Sequence, residues 1–148
     1  VVAELAAYYR SRGLTLADGI EEIYKEYGYY AEKTISVTLS GVDGAEQIKA
    51  IMAKFRNNAP KEWNATAITV VEDFKAQTAT AADGTVTTLT TPPSDVLKYT
   101  LADGSWIAVR PSGTEPKIKF YIAVVGESNE DSQAKIANIE AEINAFVK

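Results

Sequence analysis

Three runs of alternating apolar and polar residues near the C-terminal end constrain this chain most. Val96 to Leu101 alternate, Asp103-Gly104 follows, and Ser105 to Arg110 alternate again. After a polar turn, Pro111 to Pro116, the residues Ile118, Phe120, Ile122 and Val124 fall on one face of another strand. Asp-Gly between two alternating runs is a strong hairpin signal, because both residues tolerate the backbone of a tight turn. Such a succession builds an antiparallel sheet with one apolar face.

Two helix signals supply a cover for that face. Asp43, with Glu46 three residues on, is predicted to cap a helix whose buried face is Ile48, Ile51, Met52 and Phe55. It ends near Asn57–Asn58, ahead of Pro60. Ser128 and Asp131 cap a last helix with Ile136, Ile139, Ile143 and Phe146 as its stripe. Thr34 to Leu39 alternate, with Ile35, Val37 and Leu39 on one side, and Gly41 starts a turn. Residues 66–74 are β-rich, whereas 75–94 are mostly Ala, Thr, Asp, Gly and Pro and are predicted to form a long loop. Trp63, close to Pro60, is expected to cover an edge. The order from residue 34 is β-α-β-β-β-β-α. The predicted class is α+β: four to five mainly antiparallel strands with two helices packed on one face.

The first thirty residues have a different character. Val2, Leu5, Ala6 and Tyr9 recur at helical spacing up to Gly13. Thr15 and Asp18 then cap a second helix bearing Leu16, Ile20, Ile23, Tyr24 and Tyr27, which Gly28 ends. These stripes have no sheet of their own. We read residues 1–33 as the helical remnant of a preceding domain and 34–148 as a separate C-terminal domain. Ala31 to Thr34 is the candidate hinge between them, or simply the first strand's beginning. The opening Val1 fits a piece of a longer protein.

Composition narrows the chemistry. The 148 residues carry 15 Lys+Arg against 20 Asp+Glu, a net charge of −5, with neither histidine nor cysteine. Thiol catalysis, disulfides and the commonest zinc ligands and general base are excluded. The acidic balance argues against nucleic acid as a partner, and the tyrosines at 8, 9, 24, 27, 29 and 30 read as packing residues rather than base-stacking ones. No apolar run approaches the roughly 20 residues that span a bilayer, so no membrane role and a cytoplasmic location are expected.

One segment stands out, Arg110-Pro111-Ser112-Gly113-Thr114-Glu115-Pro116-Lys117. Two prolines limit its backbone. A glycine lets a ligand approach the main-chain N–H groups, and successive N–H groups in a turn suit an anion. Arg110 offers a planar fork matched to two phosphate oxygens, and Lys117 and Lys119 add positive charge. Together they describe a phosphate cradle. The same composition also makes an ordinary turn, with Arg110 merely solvated at a strand end.

The run RPSGTEPKIKFY, Arg110 to Tyr121, resembles the C-terminal phosphate-binding motif of the α-D-phosphohexomutases, the group it looks most like being the phosphoglucomutase/phosphomannomutase type. Ala6 through Tyr30 looks like the end of the third domain of these enzymes, and Lys33 through Arg56 like the beginning of the fourth. The resemblance covers nearly the whole chain, except the Thr- and Ala-rich residues 76–92.

The resemblance implies a C-terminal fragment of a phosphoglucomutase. Such an enzyme interconverts glucose 1-phosphate and glucose 6-phosphate through a phosphoserine and glucose 1,6-bisphosphate. Phosphomannomutase, or another phosphosugar mutase, is the near alternative. A non-catalytic module for phosphometabolites or nucleic acid is the other. The fourth domain would hold the phosphate that is not reacting and help close the cleft. Arg110 would pair with that phosphate, Ser112 and Thr114 would donate their hydroxyls, Gly113 its amide, and Lys117 would flank the site. Glu115 would orient Arg110 or Lys117, or face water. The implied partners are a hexose phosphate and the upstream domains 1–3. The family's phosphoserine, magnesium loop and sugar-recognition loop lie upstream, so the parent would use Mg2+ and glucose 1,6-bisphosphate. This chain would bind no cofactor, hold no catalytic or metal residue, and be inactive alone.

Overall fold

The computed structural model describes residues 1–39 and 43–147; Gly41, where the sequence places a turn, lies outside the described residues. In chain order the elements are α1 (Val2–Ser11), α2 (Leu16–Tyr27), β1 (Tyr29–Thr38), α3 (Gly44–Asn58), β2 (Glu62–Trp63), β3 (Thr66–Asp73), β4 (Thr78–Ala81), β5 (Val86–Thr88), β6 (Leu97–Leu101), β7 (Trp106–Pro111), β8 (Lys117–Gly126) and α4 (Asn129–Val147).

The hairpin forms where the sequence places it. β6 and β7 pair antiparallel, with Tyr99 opposite Ile107. Gly104 takes φ +85° and Asp103 accepts the Ser105 amide at 2.9 Å. β8 returns along β7, with Val109 opposite Phe120 and Arg110 opposite Lys119. Alternation then divides the sheet. On one face Leu97, Tyr99, Leu101, Ile107, Val109, Ile118, Phe120, Ile122 and Val124 are all at most 3% exposed. On the other lie Lys98, Trp106, Ala108, Arg110, Lys119 and Tyr121.

Helices α3 and α4 both cover the apolar face, joining Ile51, Met52, Phe55, Ile136, Ile139 and Ile143 to the same core. Phe55 is its centre, with ring centroids 4.6 Å from Phe146, 5.6 Å from Phe120 and 6.3 Å from both Trp63 and Tyr99. Losing such a ring costs about 3–5 kcal/mol. Trp63 does not merely cover an edge. It is 1% exposed and part of the core, because Phe55 and Phe146 flank it. Ser128 caps α4 by accepting the Asp131 amide at 3.1 Å. Asp43 occupies the N-cap of α3 but makes no side-chain capping bond, and Glu46 pairs with Lys49 instead.

The α+β class holds, but the sheet is larger than four to five strands. The continuous path runs β1-β8-β7-β6-β3-β4-β5, all pairs antiparallel, with β2 attached to β3. Residues 75–94 are not one long loop. They carry the β4–β5 hairpin, which extends the sheet beyond β3. Asp73 organises the turn into β4 by accepting the amides of Lys75 and Ala76 at 2.9 and 3.1 Å. β1 starts at Tyr29, before Thr34, and pairs with β8 throughout, from Tyr29–Gly126 to Thr38–Lys117. The stretch Ala31–Thr34 is thus part of a laddered strand, which the alternative reading as the first strand's beginning anticipates.

Helices α1 and α2 form as predicted. Thr15 and Asp18 make a reciprocal capping box, at 2.8 and 3.2 Å. Gly19 lies under the Tyr9 ring, where a Cβ would come within 2.4 Å of it, so the two helices meet there. Their apolar residues remain largely open: Val2, Leu5, Leu16, Ile20, Ile23 and Tyr27 are all exposed. No described helix is long and apolar enough to cross a membrane.

Two residues, Asn64 and Ala65, join β2 to β3 with φ of 49° and 53°. Both positions of this tight turn are left-handed, which Ala pays for sterically. Replacing Ala65 by Gly is expected to raise the unfolding free energy by about 0.5–1 kcal/mol, since steric relief exceeds the added chain entropy. Urea denaturation measures it, and a lower midpoint would contradict the assignment.

Candidate functional site

The end of β7 and the start of β8 position the Arg110–Lys117 loop. Pro111 pairs with Ile118, and the Ser112 amide bonds the Lys117 carbonyl at 2.8 Å, closing the loop's base. The Leu39 amide bonds the Pro116 carbonyl at 2.9 Å, tying the loop to the chain beyond β1. Inside, the Ser112 hydroxyl oxygen accepts the amides of Thr114 at 3.4 Å and Glu115 at 3.3 Å. Its O–H hydrogen is left to donate outward.

Arg110, Ser112, Gly113 and Thr114 line one hollow of about 360 Å³, together with Pro111, Lys119 and Tyr121. Four of the five residues singled out in the sequence are thereby brought together. The fifth, Lys117, is not in this lining. Its Nζ pairs with Glu115 at 2.9 Å, so Glu115 orients Lys117 rather than Arg110. That hydrogen bond, and then the lysine's charge, hold the Glu115 carboxyl below its ordinary range. Lys119 stands opposite Arg110 across the β7–β8 pair. Among the described residues neither Arg110 nor Lys119 has a carboxylate partner. Register decides between the lysines, and only pairing to β7 supplies the register.

Gly113 is informative because the fold does not need it. A Cβ added there meets nothing within 4 Å, and the backbone is not in the left-handed region. The missing side chain leaves the main-chain N–H groups open to a bound group. A second hollow of about 620 Å³ adjoins the same loop through Ser94, Asp95 and Val96. A third, about 490 Å³, lies behind it, against Ile48 and Met52 of α3. Two facing cations, a donor-rich turn and a mouth without side chain can hold a small oxyanion. Among the described residues no three carboxylates converge where a metal ion could sit.

Gly113→Ala therefore separates fold from binding. Stability is expected to stay the same or rise by up to about 1 kcal/mol. The chemical-shift response of the loop amides to phosphate is expected to weaken severalfold. Thermal melts and NMR titration read the two effects, and lost stability with an unchanged response would contradict this account.

Comparison with known proteins bears on the family and the fold. The family described as "Phosphoglucomutase/phosphomannomutase, C-terminal domain" matches residues 37–145. A phosphoglucomutase of Staphylococcus aureus (strain bovine RF122 / ET3-1) is 36% identical over 137 residues, 92% of this chain and 25% of that protein. One from Staphylococcus haemolyticus (strain JCSC1435) is 32% identical over 139 residues, 93% of this chain and 25% of that protein. The chain thus spans about a quarter of the length of these curated relatives. Among solved structures, the open form of the exocytosis-sensitive phosphoprotein pp63/parafusin of Paramecium, a phosphoglucomutase, shares the fold. It superposes with a TM-score of 0.53 at 18% identity, over 90% of this chain and 22% of that one.

Proposed function

The chain belongs to the phosphoglucomutase/phosphomannomutase family, as a C-terminal domain, and from that premise we propose that its Arg110–Lys117 loop holds the phosphate of a hexose phosphate. The observation that carries the reading is the pair Arg110 and Lys119. They face each other beside the donor-rich loop, while nearby Lys117 is already engaged by Glu115. Arg110 presents two N–H groups to two phosphate oxygens. The Ser112 and Thr114 hydroxyls and the Gly113 amide complete the donor set, and Lys117, its charge met by Glu115, flanks the site.

The parent enzyme is proposed to interconvert glucose 1-phosphate and glucose 6-phosphate in the cytoplasm, by way of a phosphoserine and glucose 1,6-bisphosphate. Phosphoryl transfer depends mainly on positioning and charge stabilisation. Gripping the phosphate that does not react supplies binding energy which aligns the distant hydroxyl. This loop is built for that task, since its closed base leaves little to order when ligand arrives. The parent's Mg2+, a Lewis acid at the reacting phosphoryl group, is assigned to no residue of this chain. The phosphoserine is likewise assigned to the upstream domains. Helices α1 and α2 would lay their exposed apolar faces on the remainder of the preceding domain, which fits their lack of burial.

Two outcomes are expected. With glucose 1-phosphate, Mg2+ and glucose 1,6-bisphosphate, the chain alone forms no glucose 6-phosphate; turnover tracking with the purified chain would contradict the division of labour. Inorganic phosphate, titrated at fixed ionic strength against chloride, shifts the Ser112, Gly113 and Thr114 amides most, with roughly millimolar affinity. Arg110→Ala removes most of that response and Arg110→Lys restores only part of it, because a point charge lacks the fork. Shifts spread evenly over basic residues, or unchanged in Arg110→Ala, would make the loop only a turn.

A further inference from the structure

Asp95 borders the second hollow, of about 620 Å³, which shares Arg110, Ser112 and Gly113 with the first. A carboxylate beside an anion site opposes binding unless its charge is met. Arg56, in the last turn of α3, holds this carboxylate and offsets part of its charge, sharing its one positive charge with Asp73. Its Nη2 donates to Asp95 Oδ1 at 2.8 Å and its Nε to Asp73 Oδ2 at 2.6 Å. The inner half of the bridge is sheltered, with the side chains of Arg56 and Asp73 26% and 12% exposed, whereas Asp95 is 38% exposed. Asp73 spends its other oxygen on the Lys75 and Ala76 amides. Burial alone would raise the Asp73 carboxyl, but the hydrogen bonds from Arg56 and the turn hold it below its ordinary value. The backbone secures the same segment, for Phe74 donates to the Val96 carbonyl at 3.0 Å and Ser94 to the Phe74 carbonyl at 3.3 Å.

We propose that Arg56 is a positioning residue for the phosphate site: it pins the Asp95 carboxylate in the wall of the adjoining hollow and keeps it from swinging towards an anion held by Arg110. Among the described residues Arg56 makes no hydrogen bond to the loop's donor set, and it works through Asp95. The inference rests on the phosphate reading of the loop given above. It predicts that the charge of Asp95 matters little while Arg56 is present and matters clearly once Arg56 is gone.

Asp95→Asn introduced into two backgrounds tests it, with inorganic phosphate as the probe and the Ser112–Thr114 amides as the readout. In the wild-type chain the substitution is expected to change phosphate affinity less than twofold. In the background Arg56→Gln/Asp73→Asn it is expected to tighten affinity at least about threefold, a gain that shrinks as added salt screens the charge. That background replaces both ends of the inner ion pair, so the more buried Asp73 carboxylate is not left unpaired, and only the more exposed Asp95 remains charged. Arg56→Lys gives another background, which keeps a charge but not the two-pronged bridge. There the gain is expected to exceed the wild-type one. A purely structural bridge would show no rescue and no salt dependence. Equal effects of Asp95→Asn in every folded background overturn this inference alone, whereas no localised phosphate response in the wild-type chain overturns the phosphate reading along with it.

Discussion

Val109 faces Phe120 across β7 and β8, and one residue further on Arg110 faces Lys119. That single step separates the hydrophobic core from a charged surface. A slip of one residue between the strands would turn Phe120 and Ile122 to the outside and drive Lys119 under the helices. Burying a cation without a partner costs several kcal/mol, and the core would lose its largest contacts besides. The register is therefore strongly specified, and the loop that joins the two strands inherits its orientation. Arg110 and Lys119 stand side by side because Val109 and Phe120 must point the other way.

The rest of the fold steadies this pair. Helices α3 and α4 seal the apolar face around Phe55, whose backbone carbonyl accepts the buried Tyr99 hydroxyl at 3.0 Å. One residue along, Arg56 leaves the same helix turn to bridge the ends of β3 and the segment before β6. Core packing and the wall of the site thus share one helix terminus. At the other end of the sheet Lys135 bonds the Val125 carbonyl at 2.8 Å and Asp103 at 3.2 Å, pinning the β6–β7 turn to α4. The loop is a short stretch, tied at its base by the Ser112–Lys117 and Leu39–Pro116 bonds, on a frame held at both ends.

Much of this was legible in the sequence for physical reasons. The period-two runs and Asp103-Gly104 declare the central hairpin, and Thr15/Asp18 and Ser128/Asp131 mark helix starts. What escaped lacked those signals. Asn64-Ala65 turns β2 into β3 with two left-handed residues, yet carries no glycine. Gln77, at φ 56°, does the same ahead of β4. The Thr- and Ala-rich β4 and β5 have no apolar alternation, because they extend the sheet past the ground the helices cover; Val86 is 59% exposed. In the site, the loop residues announced themselves by their type and spacing. Lys119 and Lys117 could be told apart only by strand pairing and by Glu115. The Arg56–Asp73–Asp95 bridge joins residues 17 and 39 positions apart, a separation over which no periodicity speaks.

The central claim is that the frame presents a ready-made oxyanion site at the Arg110–Lys117 loop. A crystal structure of the chain with glucose 6-phosphate bound tests it most directly. The account predicts the phosphoryl group between the Arg110 guanidinium and the Ser112–Thr114 segment, within reach of Lys119, with the loop backbone displaced by less than about 1 Å. A phosphoryl group seated instead in the cleft behind the loop, against Ile48 and Met52, or an empty loop at saturating ligand, would contradict it.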